Sequence, residues 1–555
     1  MIQKLLQRAS TKVRAFTLIF LMLATASAWA DTGNEADGVY YIDATGTQKN
    51  TATDGIDGND TPTVINNGNK PSSLTSGWYV VTGTVSYTST VTLTGDVHLI
   101  LADGCTMDVG TSKNRINGKG IYGNSNHSYH DLTIYGQAAG TGVLSVYTNG
   151  DDNYGIIAKN LTINGGNITA NTNGYMAYAI YACDYQACSL TINGGTVEAT
   201  TTGGSANAIY ALDGNLTINS GTVEATTTGS YAVALFAEEA NITIKGGTVE
   251  ATSAESFAIS GNKFIYTGGN VNATSPNGYA IDAYQYNFTW SNPTDCITIG
   301  SSGLYVDNED PYTATFSKAM TNGLGNIYST TLNNEGITAL NTLAASNDGL
   351  TLYPYEENIA PTANAVDDNY WTTFYCGHTG YKIDDAENAC AYTATYSSST
   401  LTLHKLGKVI PAGTAVILVG EDNEISMTAS TDAAENSVSN DLHGVDVRTA
   451  TADIKSTLGD GTFYVLSKKN DVLGFYEYTA DYMPARKAYL LINGGAALAK
   501  GLTMVFEDER TRITTTNYTN YTNSDEWYTI NGVKLTGKPT TKGLYIHNGR
   551  KEVVK

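Results

Sequence analysis

Basic side chains are scarce in this sequence. Its 555 residues contain 31 Lys and Arg against 53 Asp and Glu, which gives a formal net charge of −22 at pH 7. Proteins that bind nucleic acid or anionic lipid do so through clustered positive charge. We therefore expect neither nucleic acid nor an anionic membrane surface among the partners.

Long hydrophobic runs are also missing. A membrane-spanning helix needs about 20 consecutive apolar residues, so we expect no transmembrane segment. The start of the chain instead predicts an export signal over residues 1–30, with a basic stretch, a short apolar stretch at 16–26 and the small-x-small site Ala28-Trp29-Ala30. We expect cleavage after Ala30 and a secreted or outer-surface protein. Loss of the four basic residues of this segment moves the formal net charge to −26.

Proline and helical periodicity are rare, whereas Gly (57) and Tyr (38) are abundant. Short apolar runs cut by Gly and Asp are typical of strands joined by turns. The sequence therefore predicts an all-β protein. The hydrolase motifs GxSxG and HExxH do not occur.

Cysteine is limited to six residues. In an exported chain such residues can pair, and two pairs enclose short loops: Cys183 with Cys188, and Cys376 with Cys390. Cys105 and Cys296 lie at opposite ends of the repeat described next, too far apart for a disulfide. We expect these two to be buried thiols.

The dominant feature is a repeat of the form LTINGGTVEAT followed by a shorter refrain such as YAIYA. The first strand of each copy begins 29, 29, 26, 26 and 22 residues after the previous one. Its starting residues are Leu132, Leu161, Leu190, Leu216, Ile242 and Phe264. Such a period, built of strand-forming residues and Gly turns, predicts a solenoid of β-coils.

Each coil contains three predicted strands. Alternation along them points Ile192, Val197 and Ile209 inward and points Thr191, Glu198 and Tyr210 outward. Identical letters in successive copies align when the coils stack, and parallel crossovers are almost always right-handed. We therefore predict a right-handed parallel β-helix over 77–300, an irregular N-terminal segment or cap over 31–76, and a C-terminal cap over 301–360.

The remaining sequence is strand-like without a repeat. Short apolar runs separated by polar stretches predict a β-sandwich-like domain over 361–512. Residues 513–524 are a polar low-complexity linker, and residues 525–555 form a small C-terminal β domain.

Two resemblances follow from these motifs. The text GWYVVTGTV, DVHLILADGCTMDV, LTIYGQAAGTG and LTINGGTVEAT resembles surface adhesin-like β-helix proteins of Gram-negative anaerobes, with the fold of pectin lyases, and also calcium-dependent carbohydrate-binding β-helices. The tail INGVKLTGKPTTKGLYIHNGRKEVVK resembles a type IX secretion sorting domain. These resemblances imply an adhesin-like role, a carbohydrate ligand, and export through a secretion machinery that reads the tail.

The candidate binding residues lie on the third strand of the coils. Four aromatic residues are predicted to point outward in one column: Tyr122, Tyr181, Tyr210 and Phe236. Aromatic rings recurring every ~4.8 Å could follow a polysaccharide, since aromatic faces pack on the apolar faces of sugars. The alternative is that the rings only stabilise the solenoid surface through cross-strand pairing.

Two acidic sets are candidates for calcium, the only cofactor considered. Glu198, Glu224 and Glu250 form a predicted outward column, and Asp54, Asp57 and Asp60 form an acidic run. Carboxylate oxygens are calcium ligands, and a cation would relieve repulsion between stacked carboxylates. The alternative for both sets is a solvated acidic surface.

The sequence thus predicts a non-catalytic β-helix protein that binds carbohydrate or acts as an adhesin. A structural surface spacer is the first alternative. A β-helix polysaccharide lyase is the second; it would need a base beside an acidic cluster, and the few basic residues of 91–300 show no such arrangement.

Overall fold

The structure, a computed structural model, divides the chain between Tyr355 and Glu356 into two compact units. The described residues are 38–54, 61–125, 128–183, 188–292, 294–306, 310–316, 319–322, 327–328, 331–366, 369–436, 439–469, 472–493, 501–507, 527–529, 535, 537–541, 543–547 and 550–554. No helix within these ranges is long and apolar enough to cross a membrane.

The first unit is a parallel β-helix with three faces, which confirms the predicted all-β class and architecture. The LTI face carries the first strand of each coil: Thr63–Ile65, Gly77–Val81, Val97–Leu101, Leu132–Gly136, Asn160–Ile163, Ser189–Ile192, Asn215–Ile218, Gln285–Phe288 and Thr313–Phe316. The TVE face carries the second: Thr84–Tyr87, Thr106–Val109, Val143–Asn149, Asn167–Asn173, Thr196–Thr201, Thr222–Thr227, Thr248–Ser253, Asn270–Thr274 and Cys296–Ile299. Ile116–Asn117 pairs with Val143–Asn149.

The third face, called the YAI face, carries the strands of the shorter refrain. Its strands are Ser73–Leu74, Val91–Leu93, Ile121–Tyr122, Tyr154–Ala158, Tyr178–Cys183, Ile209–Leu212 and Ile281–Asp282. Two further strands, Leu235–Ile244 and Ile259–Tyr266, run without interruption from the YAI face into the LTI face. The corner between these faces is therefore part of a continuous strand in two of the coils.

Stacking of identical positions builds the core. Leu161 pairs with Leu190, and Leu190 with Leu216, along the LTI face, while Val197 pairs with Val223 on the TVE face. All of these side chains are fully buried. Each contributes about 1.5–3 kcal/mol of hydrophobic stabilisation, available only when the neighbouring coil is present.

Glycine is required where the LTI face turns into the TVE face. Gly195 has φ +80°, and a Cβ added there would lie 2.5 Å from the carbonyl oxygen of Gly166 in the preceding coil. The left-handed conformation and the close approach of the two backbones both exclude a side chain. The same left-handed glycine recurs one coil further on, at Gly221 and Gly247.

Asparagines at the same corner link the coils. The Asn193 side-chain amide donates to Asn164 Oδ1 at 2.8 Å, and that of Asn219 donates to Asn193 Oδ1 at 2.6 Å. Each amide is both donor and acceptor, so one residue type can continue the ladder from coil to coil.

The C-terminal end of the solenoid is closed by an antiparallel strand and a helix. Leu350–Pro354 pairs with Cys296–Ile299 at the edge of the TVE face, and the short strands Met320–Thr321 and Ile327–Tyr328 continue the sheet. Helix Asn334–Ser346 buries Ile337, Leu340 and Ala344, and the Asn333 side chain caps its first turn by accepting from the Gly336 N–H.

At the other end of the unit, the described part of the N-terminal segment forms a hairpin. Tyr40–Ile42 pairs with Gln48–Asn50, followed by the one-turn helix Thr51–Asp54. The ring of Tyr41 packs on Trp78 and Tyr135 at 4.9 Å. A small ladder, Asn124–Ser125 with Ser128–Tyr129, extends from the YAI face.

The second unit is built on a central mixed sheet with a smaller sheet on each side. The central strands are Asn364–Val366, Asn369–Phe374, Cys390–Ser397, Thr400–Gly407, Val416–Gly420 and Thr503–Phe506. One side sheet contains Asn358–Ile359, Tyr381–Ile383, Val409–Ile410 and Met427–Ala429; the other contains Leu442–Val445, Thr462–Lys469, Val472–Tyr478 and Lys487–Ile492. The strands Thr449–Ala450 and Tyr482–Met483 pair beside helix Thr451–Leu458.

Burial on both sides explains the continuous apolar run of Val416–Gly420. Val416 and Leu418 belong to one buried cluster, with Tyr381 and Met427, whereas Ile417 belongs to a second cluster on the opposite side of the sheet. Strands covered on both faces are apolar at successive positions rather than at alternate ones.

The tail forms a small antiparallel sheet of Trp527–Thr529, Gly543–His547 and Arg550–Val554. The indole of Trp527 stacks on the His547 ring at 4.1 Å. The predicted signal (1–30) and the linker (513–524) lie outside the described residues. The assignment of the tail as a type IX sorting domain stays a prediction.

Candidate functional site

The YAI face carries an aromatic cluster outside the solenoid core. Its members pack on one another and not into the interior: Tyr122, Tyr129, Tyr154, Ile157, Tyr178, Tyr181, Tyr210, Leu212 and Phe236. The inward neighbours Ile180 and Ile209 belong instead to the main core. Alternation along each strand therefore produces two separate apolar layers.

Parallel pairing places the predicted candidates in one column. Tyr122 is in register with Ile157, which precedes Tyr181, Tyr210 and Phe236 in successive coils. The column continues into Ser260 and then Asp282. The structure thus brings the four predicted aromatic residues onto one line, with Ile157 between the first and second.

Tyr181 and Tyr210 are nevertheless buried, and the expectation that they face solvent is wrong. Each is 6 % exposed. The ring of Tyr181 stacks on that of Tyr210 at 5.0 Å and 13°, and the ring of Tyr210 stacks on that of Phe236 at 5.0 Å and 8°. Because the rings stack from one coil to the next, their faces cover one another. Neither Tyr181 nor Tyr210 offers a free face to a sugar.

Two tyrosines that the repeat did not indicate pack against the predicted rings. Tyr154 stacks on Tyr181 at 5.2 Å and 9°, and Tyr178 contacts Tyr181 at 5.2 Å and Tyr210 at 5.0 Å. The name aromatic column is used below for the four rings that stack on one another: Tyr154, Tyr181, Tyr210 and Phe236. Tyr154 and Tyr178 lie three residues before Ile157 and Tyr181, two residues of the registered line. This spacing is visible in the sequence, but the alternation of inward and outward residues along a strand does not single it out.

The N-terminal end of the cluster is cationic. The Lys119 ammonium lies 4.1 Å from the ring centroid of Tyr122 and 5.7 Å from that of Tyr154. Such cation–π contacts contribute about 0.5–1 kcal/mol at exposed sites. Both tyrosines are half-buried, so parts of these rings remain accessible beside a positive charge.

The opposite end is acidic and lacks a further ring. Phe236 is half-buried, and the next position in register is the small residue Ser260. The Ser260 hydroxyl donates to Asp282 Oδ2 at 2.9 Å, and the Tyr210 hydroxyl donates to Glu238. Burial raises the pKa of the Asp282 carboxyl, and the hydrogen bond from Ser260 opposes that rise. Among the described rings, only Tyr210 stacks on Phe236.

The predicted acidic column is formed on the TVE face. Glu198 is in register with Glu224, and Glu224 with Glu250, between Thr169 and Asn272. Glu224 and Glu250 are exposed, whereas Glu198 is half-buried. Burial raises the pKa of Glu198. Calcium binding by this column stays a hypothesis.

One cation contacts the TVE face in the coils that precede the acidic column. The Arg115 guanidinium donates to the Thr148 and Asn171 carbonyls at 3.0 and 3.1 Å and to Asn171 Oδ1 at 2.6 Å. It also lies 5.5 Å from the centroid of the Tyr147 ring. These contacts tie the loop that carries Arg115 to the TVE face.

The acidic run near the N-terminus is described only at Asp54. Its carboxylate accepts from the Asn50 N–H at 3.1 Å and lies 3.7 Å from Lys49 Nζ. These interactions complete a local turn. Asp57 and Asp60 lie outside the described residues, so calcium binding there is not tested.

The cysteine predictions have three outcomes. Cys376 and Cys390 are separate thiols, so their predicted disulfide is wrong: Cys376 Sγ lies 3.6 Å from His378 Nε2, and Cys390 Sγ lies 3.5 Å from the Gly407 carbonyl oxygen. The Cys188 thiol donates to the Leu212 carbonyl at 2.6 Å, while the side chain of Cys183 lies outside the described residues. Cys105 is a buried free thiol, as predicted, whereas Cys296 is half-buried, so its predicted full burial is wrong.

Comparison with known proteins agrees with this architecture. Residues 161–180 and 242–263 match the sequence model of a family described as beta helix repeat. A comparison with curated proteins found no match, and a comparison with solved structures found none. The two matched stretches lie in the regular coils, and they support assignment of the solenoid to the parallel β-helix proteins.

Proposed function

We propose that this chain is an exported, surface-displayed β-helix protein that binds carbohydrate, or acts as an adhesin through it, without catalysis. The observation that carries the proposal is the open end of the aromatic column at Phe236. There an aromatic ring has no second stacking partner among the described rings, Glu238 lies two residues further along the same strand, and Asp282 lies two coils further along the same register line.

The chemistry of this end suits a sugar. An aromatic face carries the negative part of the ring quadrupole, and the C–H groups of a pyranose, polarised by neighbouring oxygens, pack against it. Ser260 follows Phe236 in register and Asp282 follows Ser260. At about 4.8 Å per coil, a monosaccharide resting on Phe236 would reach Asp282 with a hydroxyl group.

Hydrogen bonding would add specificity to this contact. Ionised carboxylates accept two hydrogen bonds from adjacent hydroxyl groups and do so more strongly than neutral acceptors. Glu238 already accepts from Tyr210, and Asp282 from Ser260, so both carboxyl groups are oriented before a ligand arrives. Preorganised groups bind with a smaller entropic loss.

The non-catalytic part of the proposal is supported by how Arg115 is used. A lyase needs a basic group free to take a proton from the sugar ring, and Arg115 is a cation on the TVE face in the coils that precede the acidic column. Its donors are directed to two backbone carbonyls and to Asn171. Arg115 therefore serves as an anchor for its loop.

A glycan array probed with the full mature chain, with and without calcium, tests the proposal. We expect binding to a defined set of glycans. Phe236→Ala should weaken that binding at least tenfold, because it removes the stacking face. Asp282→Asn should weaken it to a smaller extent. The matched control is Tyr231→Ala, since Tyr231 is 82 % exposed and is not a member of the cluster.

Other results of these experiments would change the proposed function or the proposed location of the binding site. No glycan binding in either condition, with correct folding shown by circular dichroism, would overturn the proposal and leave the surface-spacer function. Release of unsaturated uronic acids from an acidic polysaccharide would contradict the non-catalytic part. Binding that survives Phe236→Ala would place the ligand elsewhere on the chain.

The export part has a separate test. N-terminal sequencing of protein recovered from outside the cell should show Asp31 as the first residue. Removal of residues 525–555 should stop the protein from crossing the outer membrane, so that it stays in the periplasm. Secretion unaffected by this removal would contradict the assignment of the tail.

A further inference from the structure

A second cluster of chemically reactive side chains lies in the other unit, far from the repeat in sequence. Cys376 and His378 follow the central strand Asn369–Phe374, and Asp446 follows the side-sheet strand Leu442–Val445. One ligand atom from each of these three residues lies within 4.8 Å of the other two. Cys376 is 2 % exposed and His378 is 9 % exposed.

We propose that Cys376, His378 and Asp446 form a binding site for zinc. Thiolate sulfur, imidazole nitrogen and carboxylate oxygen are the three donor types that zinc takes in proteins. The mixture of a soft and two harder donors favours zinc over calcium or magnesium, which prefer oxygen alone.

The sulfur-to-nitrogen distance fits tetrahedral coordination. With Zn–S of about 2.3 Å and Zn–N of about 2.0–2.1 Å, two ligands at a tetrahedral angle lie about 3.6 Å apart. Cys376 Sγ and His378 Nε2 are 3.6 Å apart. Asp446 would have to move closer to the other two ligands when the metal binds, from separations that are within 4.8 Å.

The surroundings of the histidine suit the tautomer that a metal requires. His378 Nδ1 lies 3.0 Å from the Thr379 hydroxyl oxygen. If Nδ1 carries the proton and donates it to Thr379, the lone pair of Nε2 points toward Cys376. Metal-ligating histidines almost always donate their second ring nitrogen to an oxygen in this way.

The carboxylate is held in a similar manner. Asp446 Oδ1 accepts from the Gly377 N–H at 2.7 Å, which leaves Oδ2 for a metal. A Cβ at Gly377 would lie 2.4 Å from Asp446 Oδ2 and 3.1 Å from the Tyr375 hydroxyl. Gly377, which lies between Cys376 and His378, is thus close to the Asp446 carboxylate. Its lack of a side chain permits this approach. Three protein ligands leave one tetrahedral position for water or for the Tyr375 hydroxyl.

Charge around the cluster is balanced by a neighbouring ion pair. Arg486 is the nearby cation, and its guanidinium is held by Glu356 at 2.5 Å. A zinc ion with one thiolate, one carboxylate and one neutral imidazole is itself electrically neutral. The site can therefore be buried without a large desolvation penalty.

Two other uses of the cluster fit the geometry less well. A disulfide with Cys390 is not formed. A nucleophilic Cys–His pair would need an exposed thiol and an acid on the second nitrogen of the imidazole, whereas Cys376 is buried and that nitrogen faces Thr379. A metal ion would instead join the central sheet to a side sheet, as a disulfide does in other exported domains.

Metal analysis of the full mature chain, after tag removal and dialysis against zinc, tests the site. We expect one bound equivalent that Cys376→Ala and His378→Ala lose. Thr379→Ala should retain the fold but bind zinc about 10–100-fold more weakly, as removal of an outer-shell partner does. Cys390→Ala, which removes a thiol outside the cluster, should bind as the wild type does.

Cobalt substitution provides a readout specific to sulfur. The wild type should show a thiolate-to-cobalt charge-transfer band in the near ultraviolet, and Cys376→Ser should lack it. The proposal is overturned if the folded wild type binds no zinc. It is also overturned if Cys376→Ser keeps both the bound zinc equivalent and the thiolate-to-cobalt charge-transfer band. Should Cys376→Ala fail to fold, the Thr379→Ala affinity and the cobalt spectrum still decide.

Discussion

At the scale of single residues, the main lesson is that pointing away from the core does not mean facing water. Tyr181 and Tyr210 point out of the solenoid, yet each is 6 % exposed because neighbouring rings cover both faces. A ring in this position stabilises the coil through stacking worth about 0.5–1.5 kcal/mol per pair beyond area burial.

Tyr210→Ala should therefore lower the stability of the fold. The change removes a ring packed between Tyr181 and Phe236 and leaves Glu238 without its donor. We expect a loss of about 3–5 kcal/mol in the free energy of unfolding, measured from denaturant midpoints by circular dichroism. Tyr231→Ala should change it by less than about 0.5 kcal/mol. A stable Tyr210→Ala variant would contradict the packing argument.

Glu198→Gln should raise stability at neutral pH. Burial raises the pKa of Glu198 above its ordinary 4.5, so the folded protein holds this proton more tightly than the unfolded chain does. Stability from this group then decreases as pH rises through the raised pKa. We expect a gain of a few tenths to about 1 kcal/mol at pH 7, since repulsion from Glu224 is also removed.

The gain from Glu198→Gln should disappear as pH falls below about 4.5, where the wild-type carboxyl is protonated in both states. Thermal unfolding followed across this pH range checks the prediction. Glu239→Gln, a change at an exposed position on the YAI–LTI corner, serves as the control and should show no comparable gain. A gain that is independent of pH would point to a cause other than the charge.

At the scale of elements, the coils depend on glycine at one corner more than on any polar contact. The five-residue segment TVEAT recurs unchanged in three coils. A glycine with positive φ directly precedes each copy, at Gly195, Gly221 and Gly247. A Cβ added at any of these three glycines would lie 2.4–2.6 Å from a carbonyl oxygen of the preceding coil.

Gly195→Ala should destabilise the solenoid more than Gly83→Ala does. Both glycines have positive φ, but only Gly195 would place a Cβ 2.5 Å from a backbone carbonyl oxygen of the neighbouring coil, whereas nothing lies within 4 Å at Gly83. We expect about 1–2 kcal/mol for the left-handed strain alone and a larger loss at Gly195. Denaturant midpoints of the two variants give the comparison, and equal losses would contradict the role of the clash.

The strands of the solenoid and the register between them could be predicted, because the same residues recur at the same positions of each repeat. Leu, Ile and Val in identical places specify the inner columns, and the same alignment places Glu198, Glu224 and Glu250 on one line. Ring orientation could not be predicted, since the direction in which Tyr181 leans depends on its neighbours in space. The cluster of Cys376, His378 and Asp446 was also hidden, because Gly377 and Asp446 meet across 69 residues.

At the scale of the whole molecule, a parallel solenoid must end without leaving an open sheet edge. The antiparallel strand Leu350–Pro354 covers the last coil of the TVE face, with Leu352 fully buried opposite Ile297. Exposed edges of this kind pair readily with other chains. The cap therefore has a role in solubility as well as in stability.

Leu352→Asp should open this edge. A buried unpaired charge is strongly disfavoured, so the capping strand should detach and the protein should self-associate with increasing concentration, as measured by light scattering after gel filtration. Thr351→Asp is the matched control, because Thr351 is half-buried opposite Thr298, and it should elute as the wild type does. Unchanged elution of Leu352→Asp would argue against the capping role.

The uneven coil length of the repeat has a consequence for how such a protein can evolve. Successive coils begin 29, 29, 26, 26 and 22 residues apart, yet the pairing of Leu190 with Leu216 and of Val197 with Val223 is unbroken. Insertions and deletions are absorbed at the corners. The YAI–LTI corner borders the aromatic column, so a lineage can lengthen or shorten the segment beside that column without disturbing the ladder that holds the fold. The outer surface of the YAI face and the folding core are therefore free to diversify at different rates in this architecture.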